Sequence, residues 1–390
     1  MKLIRNEVSL KPLSNWFLFS LFYIKVFAMY KISKRIEDAE TLPGNIYHSN
    51  ELYEGAKEKI FAKSWQVIGN KDLSRLNGDL YPFYYMENYI DEPLLLARNQ
   101  EGKLNCMSNV CTHRGNILIE HPCQGSEITC CYHGRRFDLN GCFKSMPEFQ
   151  NVENFPTERD HLTHLPLKDF ASNYFTSLDP AFDFEEVYDN MRERLSFMNL
   201  DELIFDESRS QDYLVKANWA LYVENYLEGF HIPFVHPSLA KAIDFKNYSS
   251  EIYPYHNLQL GIVKSGEPVF DIPEGHPDYG LNVGAYYYWV FPNLMFNFYP
   301  WGLSLNIIKP LDQKMTKVSF QSFVANPQML GKGAGGDLDT VEKEDEAIVE
   351  KVMKGVGSRF YDKGRYSVRL EKGVHHFHSL IADFLNKGES

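Results

Sequence analysis

The spacing of hydrophobic positions changes several times along this chain, and each change marks an element. Residues 46–65 repeat at helix spacing, with Leu52, Ala56, Ile60 and Phe61 recurring on one side. From residue 65 to 167 short β runs take over, at 65–69, 91–98 and 127–132. Turn pairs separate them, at Asn77-Gly78, Glu101-Gly102 and Asn140-Gly141. This pattern predicts a small all-β domain over 65–167. Past a polar, proline-containing stretch at 156–180, helical and strand patterns mix through 168–390. Residues 285–325 read as several strands; Leu303-Ser304-Leu305-Asn306-Ile307 alternates cleanly, and Pro300-Trp301-Gly302 supplies a turn. An antiparallel sheet is expected there. Gly331 to Gly336 reads as a flexible loop without the Gly-Lys-Ser/Thr ending of a phosphate cradle. Two helices close the chain, one with Val341, Ile348, Val352 and Val356 as its apolar stripe, the other with Val374, Phe377, Ile381, Phe384 and Leu385. The chain is therefore expected to be α+β.

Upstream, residues 16–30 are strongly apolar with Lys25 among them. The stretch is shorter than the roughly 20 apolar residues a membrane span needs, and it lacks a small-residue cleavage site. Residues 1–28 are read as an apolar extension ahead of a start at Met29, and 29–64 as an N-terminal helical segment. Membrane association is not expected, and the cytoplasm is the expected location. A net charge of −12 argues against nucleic-acid binding, which needs basic patches. The six cysteines all fall between Cys106 and Cys142, too few for a disulfide scaffold, so one compact stretch carries any cysteine chemistry.

Within that stretch stand Cys111-Thr-His113 and Cys130-Cys131-Tyr-His133, with sixteen residues between His113 and Cys130. Two thiolates and two imidazoles can bind zinc. They can equally hold a two-iron cluster in which two histidines replace two cysteines on one iron, raising its potential by a few hundred millivolts over all-cysteine clusters. Cys106, Cys123, Cys131 and Cys142 read as non-ligands.

A second constellation follows. Glu224, Glu228 and His231 are spaced i, i+4, i+7, placing them on one helix face among Leu221, Tyr222, Tyr226, Leu227 and Phe230. Pro233 should break that helix and let His236 swing towards His231. Two histidines and one carboxylate form the facial triad of oxygen-activating ferrous enzymes. Asp345 is the candidate carboxylate: it lies on the inward stripe of its helix, while Glu342, Lys343, Glu344 and Glu346 mostly point outward. A buried ion pair or a cap is the plainer alternative to this role for Asp345. His375, His376 and His378 fit helix packing better than metal binding. Tyr286, Tyr287, Tyr288, Trp289, Phe296, Phe298, Tyr299 and Trp301 fit either a sheet core or an aromatic cage for an ammonium group.

These two motifs, in this order, resemble the Rieske non-haem iron oxygenases, catalytic alpha subunits with C-x-H, 15–17 residues, C-x-x-H, and then an acid, three residues, an acid, two residues, His, four residues, His. The resemblance runs from about residue 43 to the C-terminus and extends to Arg114, Tyr132 and Gly134. It departs at Cys131 and Arg135, where the family often has Pro and Trp, and at Glu228, where Asp is usual and Glu marks a subset acting on quaternary amines. The stretch 225–248 looks like choline monooxygenase-like proteins. The resemblance implies an all-β Rieske domain followed by a START or helix-grip-like catalytic domain, an antiparallel sheet with a long C-terminal helix. It implies a [2Fe–2S] cluster on Cys111, His113, Cys130 and His133, and mononuclear Fe(II) on His231, His236 and Asp345. Glu228 would link the two centres of adjacent subunits in a homotrimer, with Glu224 beside it as the motif's first acid. Electrons would come from a separate ferredoxin or flavin reductase, so NAD(P)H would act only through that partner, and O₂ would meet a small organic substrate. Three activities compete: hydroxylation or demethylation of a quaternary amine such as choline or a betaine, aromatic-ring hydroxylation, and electron carriage by the Rieske domain alone.

Overall fold

Strand pairing begins at Gln66, at the start of the expected β runs. The computed structural model describes residues 30–244, 248–336 and 338–387; the apolar extension and the expected start at Met29 lie outside them. The expected helix at 46–65 is Asn50–Ala56, continued by a wider turn at Lys57–Phe61 that buries Ile60 and Phe61.

The first β region has a five-stranded antiparallel sheet centred on Asp79–Tyr85, Glu92–Arg98 and Leu104–Ser108. A three-stranded sheet of Ile128–Thr129, Arg136–Phe137 and Phe143–Ser145 stands beside it. Their shared apolar core includes Leu95, Met107, Ile128 and Phe137 together with Cys111 and Cys130. A third sheet joins Gln66–Asn70 to Asn173–Thr176 and Leu167–Phe170, so the boundary expected at residue 167 falls inside a sheet.

The second region is built on a seven-stranded antiparallel sheet in the order Ile204–Val215, Met315–Val324, Gly302–Asp312, Leu294–Tyr299, Val283–Val290, His256–Ile262, Ser249–Ile252. The period-two alternation gives this sheet two different faces. One row runs Tyr286, Phe298, Leu303, Phe323 across four strands. This apolar face packs on the third sheet and on helix Phe184–Arg194, with Phe170 5.7 Å and Tyr188 6.1 Å from Phe296 between ring centres. The opposite face carries the row Gln259, Tyr287, Asn297, Ser304. The polar positions of the alternating Leu303–Ile307 stretch therefore face a cavity and not bulk solvent; Ser304 and Asn306 are buried.

Helices Leu338–Val356 and Lys372–Asn386 belong to this second region. Phe377 of the terminal helix meets Trp289 edge-on at 5.4 Å, and Phe384 meets Phe291 at 4.8 Å. This is the expected α+β arrangement of a β domain followed by an antiparallel sheet with a C-terminal helix. In the first helix the inward stripe differs from the expected one. It is Glu342, Val349, Met353 and Val356 that are buried, while Val352 is 42% exposed. Valine content misled the phase: the stripe is turned to bury a carboxyl group. The stretch at 331–336 is a short 3-10 turn, Gly333–Gly335, whose Gly335 leaves no room for a side chain beside Trp301 and Tyr299. Among the described residues no helix is long and apolar enough to cross a membrane.

Candidate metal centres

Cys111 and Cys130 open two loops of the same build. In the first, the Gly115 N–H donates to the Cys111 carbonyl at 3.0 Å and the Cys111 N–H to the Asn116 carbonyl at 2.8 Å. In the second, Gly134 donates to Cys130 at 3.0 Å and Cys130 to Arg135 at 2.8 Å. Both loops turn through a glycine at positive φ, 71° at Gly115 and 69° at Gly134, where a Cβ is penalised. The loops bring their residues together. The Cys111 and Cys130 thiols are buried and interact with each other, and the His113 and His133 rings stand edge to face at 4.8 Å. Burial pushes the Cys111 thiol pKa up, against a hydrogen bond from the His113 backbone, and Cys130 raises it further. His133 Nδ1 is buried without a hydrogen-bond partner. Paired buried thiols beside an unpartnered imidazole nitrogen fit a cluster with one iron on sulfur and the other on nitrogen.

Arg135, the departure from the usual Trp, keeps an aromatic's place. Its guanidinium lies 4.8 Å from the Phe143 ring centre and 5.4 Å from that of Phe155, and pairs with Asp160 at 2.7 Å. Cys131, Cys123 and Cys142 are exposed, and burial raises the Cys106 pKa to about 12.

The second centre is assembled differently. Helix Trp219–Tyr226 is capped by Asn218, whose side chain accepts from the Ala220 N–H, and it ends at Tyr226. Gly229 carries the chain past the Tyr248 ring, where a Cβ would come within 2.6 Å. A new single turn, Ile232–Val235, then starts with Pro233 in its first positions, where proline is pre-organised. So Pro233 begins a helix where a break was expected, and Glu224, Glu228 and His231 do not share one continuous helix face. His231 and His236 flank the turn, and Asp345 reaches them from Leu338–Val356. His236 Nε2 lies 3.1 Å from His231 Nε2 and 3.0 Å from Asp345 Oδ1, with His231 Nε2 to Asp345 at 3.6 Å. Among the described residues this is one trio whose ligand atoms gather within 4.8 Å.

Each member of the trio is held from behind. His231 Nδ1 is 2.7 Å from Glu228 Oε1, and His236 Nδ1 is 2.7 Å from Glu344 Oε2. A carboxylate can only accept, so each Nδ1 carries a proton, and a metal bound among the three residues would take the lone pair of each Nε2. Asn225 Nδ2 donates to Asp345 Oδ1 at 2.6 Å. Burial alone lowers the His236 pKa, yet the Asp345 and Glu344 carboxylates outweigh it and leave it raised. The pocket between these groups favours positive charge, which a divalent metal would supply in place of a proton. Two imidazoles and a carboxylate on one side fit ferrous iron with open positions.

The family comparisons cover both centres. Residues 64–156 match the model of the Rieske [2Fe-2S] domain, and residues 200–387 match that of the ring hydroxylating alpha subunit, catalytic domain. The chain belongs to the Rieske oxygenases. It is 28% identical to the chloroplastic choline monooxygenase of Arabidopsis thaliana over 92% of this chain and 88% of that protein. It is 27% identical to the carnitine monooxygenase oxygenase subunit of Escherichia coli K12, over 89% and 94%. In fold it is similar to a quaternary ammonium Rieske monooxygenase, with a TM-score of 0.70, 24% identity and coverage of 92% and 100%. It is also similar in fold to naphthalene 1,2-dioxygenase from a Rhodococcus species, with a TM-score of 0.66, 18% identity and coverage of 89% and 95%.

In this oxygenase a cavity of about 110 Å³ opens beside the trio, between the polar face of the large sheet and helix Leu338–Val356. The eight aromatic residues considered for a cage divide between the faces. Tyr286, Tyr288, Phe296 and Phe298 are on the core side, Trp289 is under the terminal helix, Trp301 stacks behind Tyr299, and Tyr287 and Tyr299 reach the cavity. Glu224 stays away from the trio. It accepts from the Tyr47 hydroxyl at 2.6 Å and lies 3.1 Å from His378 Nε2. His378 is fully buried against Tyr366, and His375 and His376 bond to backbone carbonyls, consistent with packing roles. Glu344, Asn225 and Glu342 were missed as site residues. The only sequence signal for Glu344 and Glu342 was their place within one helical turn of Asp345.

Proposed function

We propose that this Rieske oxygenase inserts oxygen into, or demethylates, a small quaternary ammonium compound. Cys111, His113, Cys130 and His133 hold its [2Fe–2S] cluster, and His231, His236 and Asp345 its mononuclear Fe(II). When bound, the cluster supplies single electrons and the ferrous ion supplies oxygen activation. The protein's own part is to fix and shelter. Glu228 and Glu344 keep the Nδ1 protons in place so that both Nε2 atoms face inward. Asn225 fixes the Asp345 oxygen, and Tyr226, Tyr248 and Tyr299 wall the cavity against water. Glu228 also accepts the backbone N–H groups of Phe230 and His231, which makes it a rigid link from His231 outward. We assign it the connection to a neighbouring subunit's cluster in a homotrimer. Reduction would come from a separate ferredoxin or flavin reductase, itself using NAD(P)H, in the cytoplasm.

The observation that carries this reading is the trio with its rear carboxylates, in a chain whose named relatives act on choline and carnitine. It is tested by reconstituting the protein with iron and sulfide and coupling it to a surrogate reductase. Oxygen uptake and product are then followed on choline, glycine betaine, L-carnitine and naphthalene. We expect about three irons per chain, a Rieske-type paramagnetic signal on reduction and turnover of an amine. Turnover of naphthalene alone would transfer the protein to the ring hydroxylases, and zinc or only two irons per chain would end the two-centre reading.

A further inference from the structure

Glu342 is an unusual neighbour for an oxygenase cavity. It is 3% exposed and lines the cavity beside the trio. The Tyr222 hydroxyl donates to its Oε2, while Oε1 is buried with no partner. Among the described residues lining the cavity there is no Lys or Arg. Burial, foremost, drives the Glu342 pKa well above the usual carboxylate range, and the negative charges of Asp345 and Glu346 add to this. Burial of this kind disfavours the charged carboxylate, and a cation lodged beside it would restore that form.

The rest of the lining favours the same kind of guest. Tyr226, Tyr248, Tyr287 and Tyr299 also line the cavity, and aromatic rings attract alkylammonium groups through their π faces. Three of the four amide side chains on the lining, all but Asn306, already donate an N–H to the protein. Gln259 Nε2 donates to the Tyr226 carbonyl at 2.7 Å, Asn297 Nδ2 to the Ser304 carbonyl at 3.0 Å, and Asn225 Nδ2 to Asp345. The cavity offers carboxyl oxygens and aromatic rings, and no Lys or Arg for an anionic tail.

We propose that Glu342 is the anchor for the cationic head of the substrate, and that the substrate is an alkylammonium compound without a carboxylate. This deepens the reading above and rests on it. It separates choline-like cations from zwitterions such as betaine and carnitine, although relatives of both kinds are similar to this chain.

The test is titration calorimetry on the iron-loaded protein with choline, glycine betaine, L-carnitine and 3,3-dimethylbutan-1-ol, the neutral isostere of choline. Choline should bind at least about tenfold more tightly than the other three. In Glu342→Gln, which keeps the Tyr222 hydrogen bond, choline should weaken about tenfold to the level of the isostere, with isostere binding unchanged. Unaltered choline binding in Glu342→Gln would overturn the anchor. Betaine or carnitine binding as tightly as choline to the wild-type protein would overturn it too, and that measurement stands even if the variant does not fold. Wild-type protein that binds none of the three amines would instead bring down the quaternary ammonium reading itself, and this inference with it.

Discussion

The two metal centres are made by opposite strategies. The cluster loops are local and repeated: each closes on itself through a Cys carbonyl and a Gly N–H, and each delivers one thiol and one imidazole within four residues. The trio is assembled from afar, with His236 and Asp345 separated by 109 positions and each ligand steadied by a different outer residue. A local loop needs only its own backbone to be right. A long-range site needs a short turn and a distant helix to meet, and so depends on groups that do not touch the metal. The two centres should therefore fail in different ways when one residue is changed.

The largest difference is expected from Asp345→Ala. Turnover should fall by more than about 100-fold, exceeding the 10–100-fold typical of outer partners, while the visible absorbance of the cluster stays as in the wild type. Parallel loss of cluster absorbance would mean that the two centres fold as one unit, and the contrast drawn above would be gone. A smaller effect should follow from Glu344→Gln or Asn225→Ala. Each should weaken iron binding by about 10–100-fold, read by competition with a chelator, again with an intact cluster. Wild-type iron affinity in Glu344→Gln would show that His236 keeps its tautomer without that carboxylate.

The same contrast explains what could be read from the chain. Cys111, His113, Cys130 and His133 were legible because their spacing is the loop geometry. The sheet strands were legible because alternation at 303–307 reports a buried face, although whether the polar side met solvent or a cavity was not written there. His231 and His236 were legible as a pair, but the backbone between Tyr226 and Ile232 was not. Gly229, needed for passage past Tyr248, and Pro233, which starts a turn, were taken as parts of one broken helix. The phase of Leu338–Val356 was the hardest feature. Valines pulled the predicted stripe towards Val352, whereas the fold buries Glu342, and a buried carboxyl runs against hydrophobic patterning. Glu344 could not be assigned from periodicity, because its partner His236 lies 108 positions away in the chain.

The smallest expected effect tests the local strategy itself. Gly134 sits at φ 69°, and a Cβ there would meet only Pro147, at 3.5 Å and 3.7 Å, ordinary contact distances. Gly134→Ala therefore adds no clash, and its cost is the left-handed backbone alone, about 1–2 kcal/mol. In a chain of this size that corresponds to a fall of only a few degrees in Tm, followed by calorimetry of the iron-loaded protein. Cluster content should remain near that of the wild type, since the Cys130 carbonyl to Gly134 N–H bond survives the change. Turnover should drop no more than the cluster does, because the trio takes no support from this loop. Loss of the cluster at unchanged Tm would point to a loop set by the metal and not by its own backbone, and the division between a self-contained centre and an assembled one would have to be redrawn.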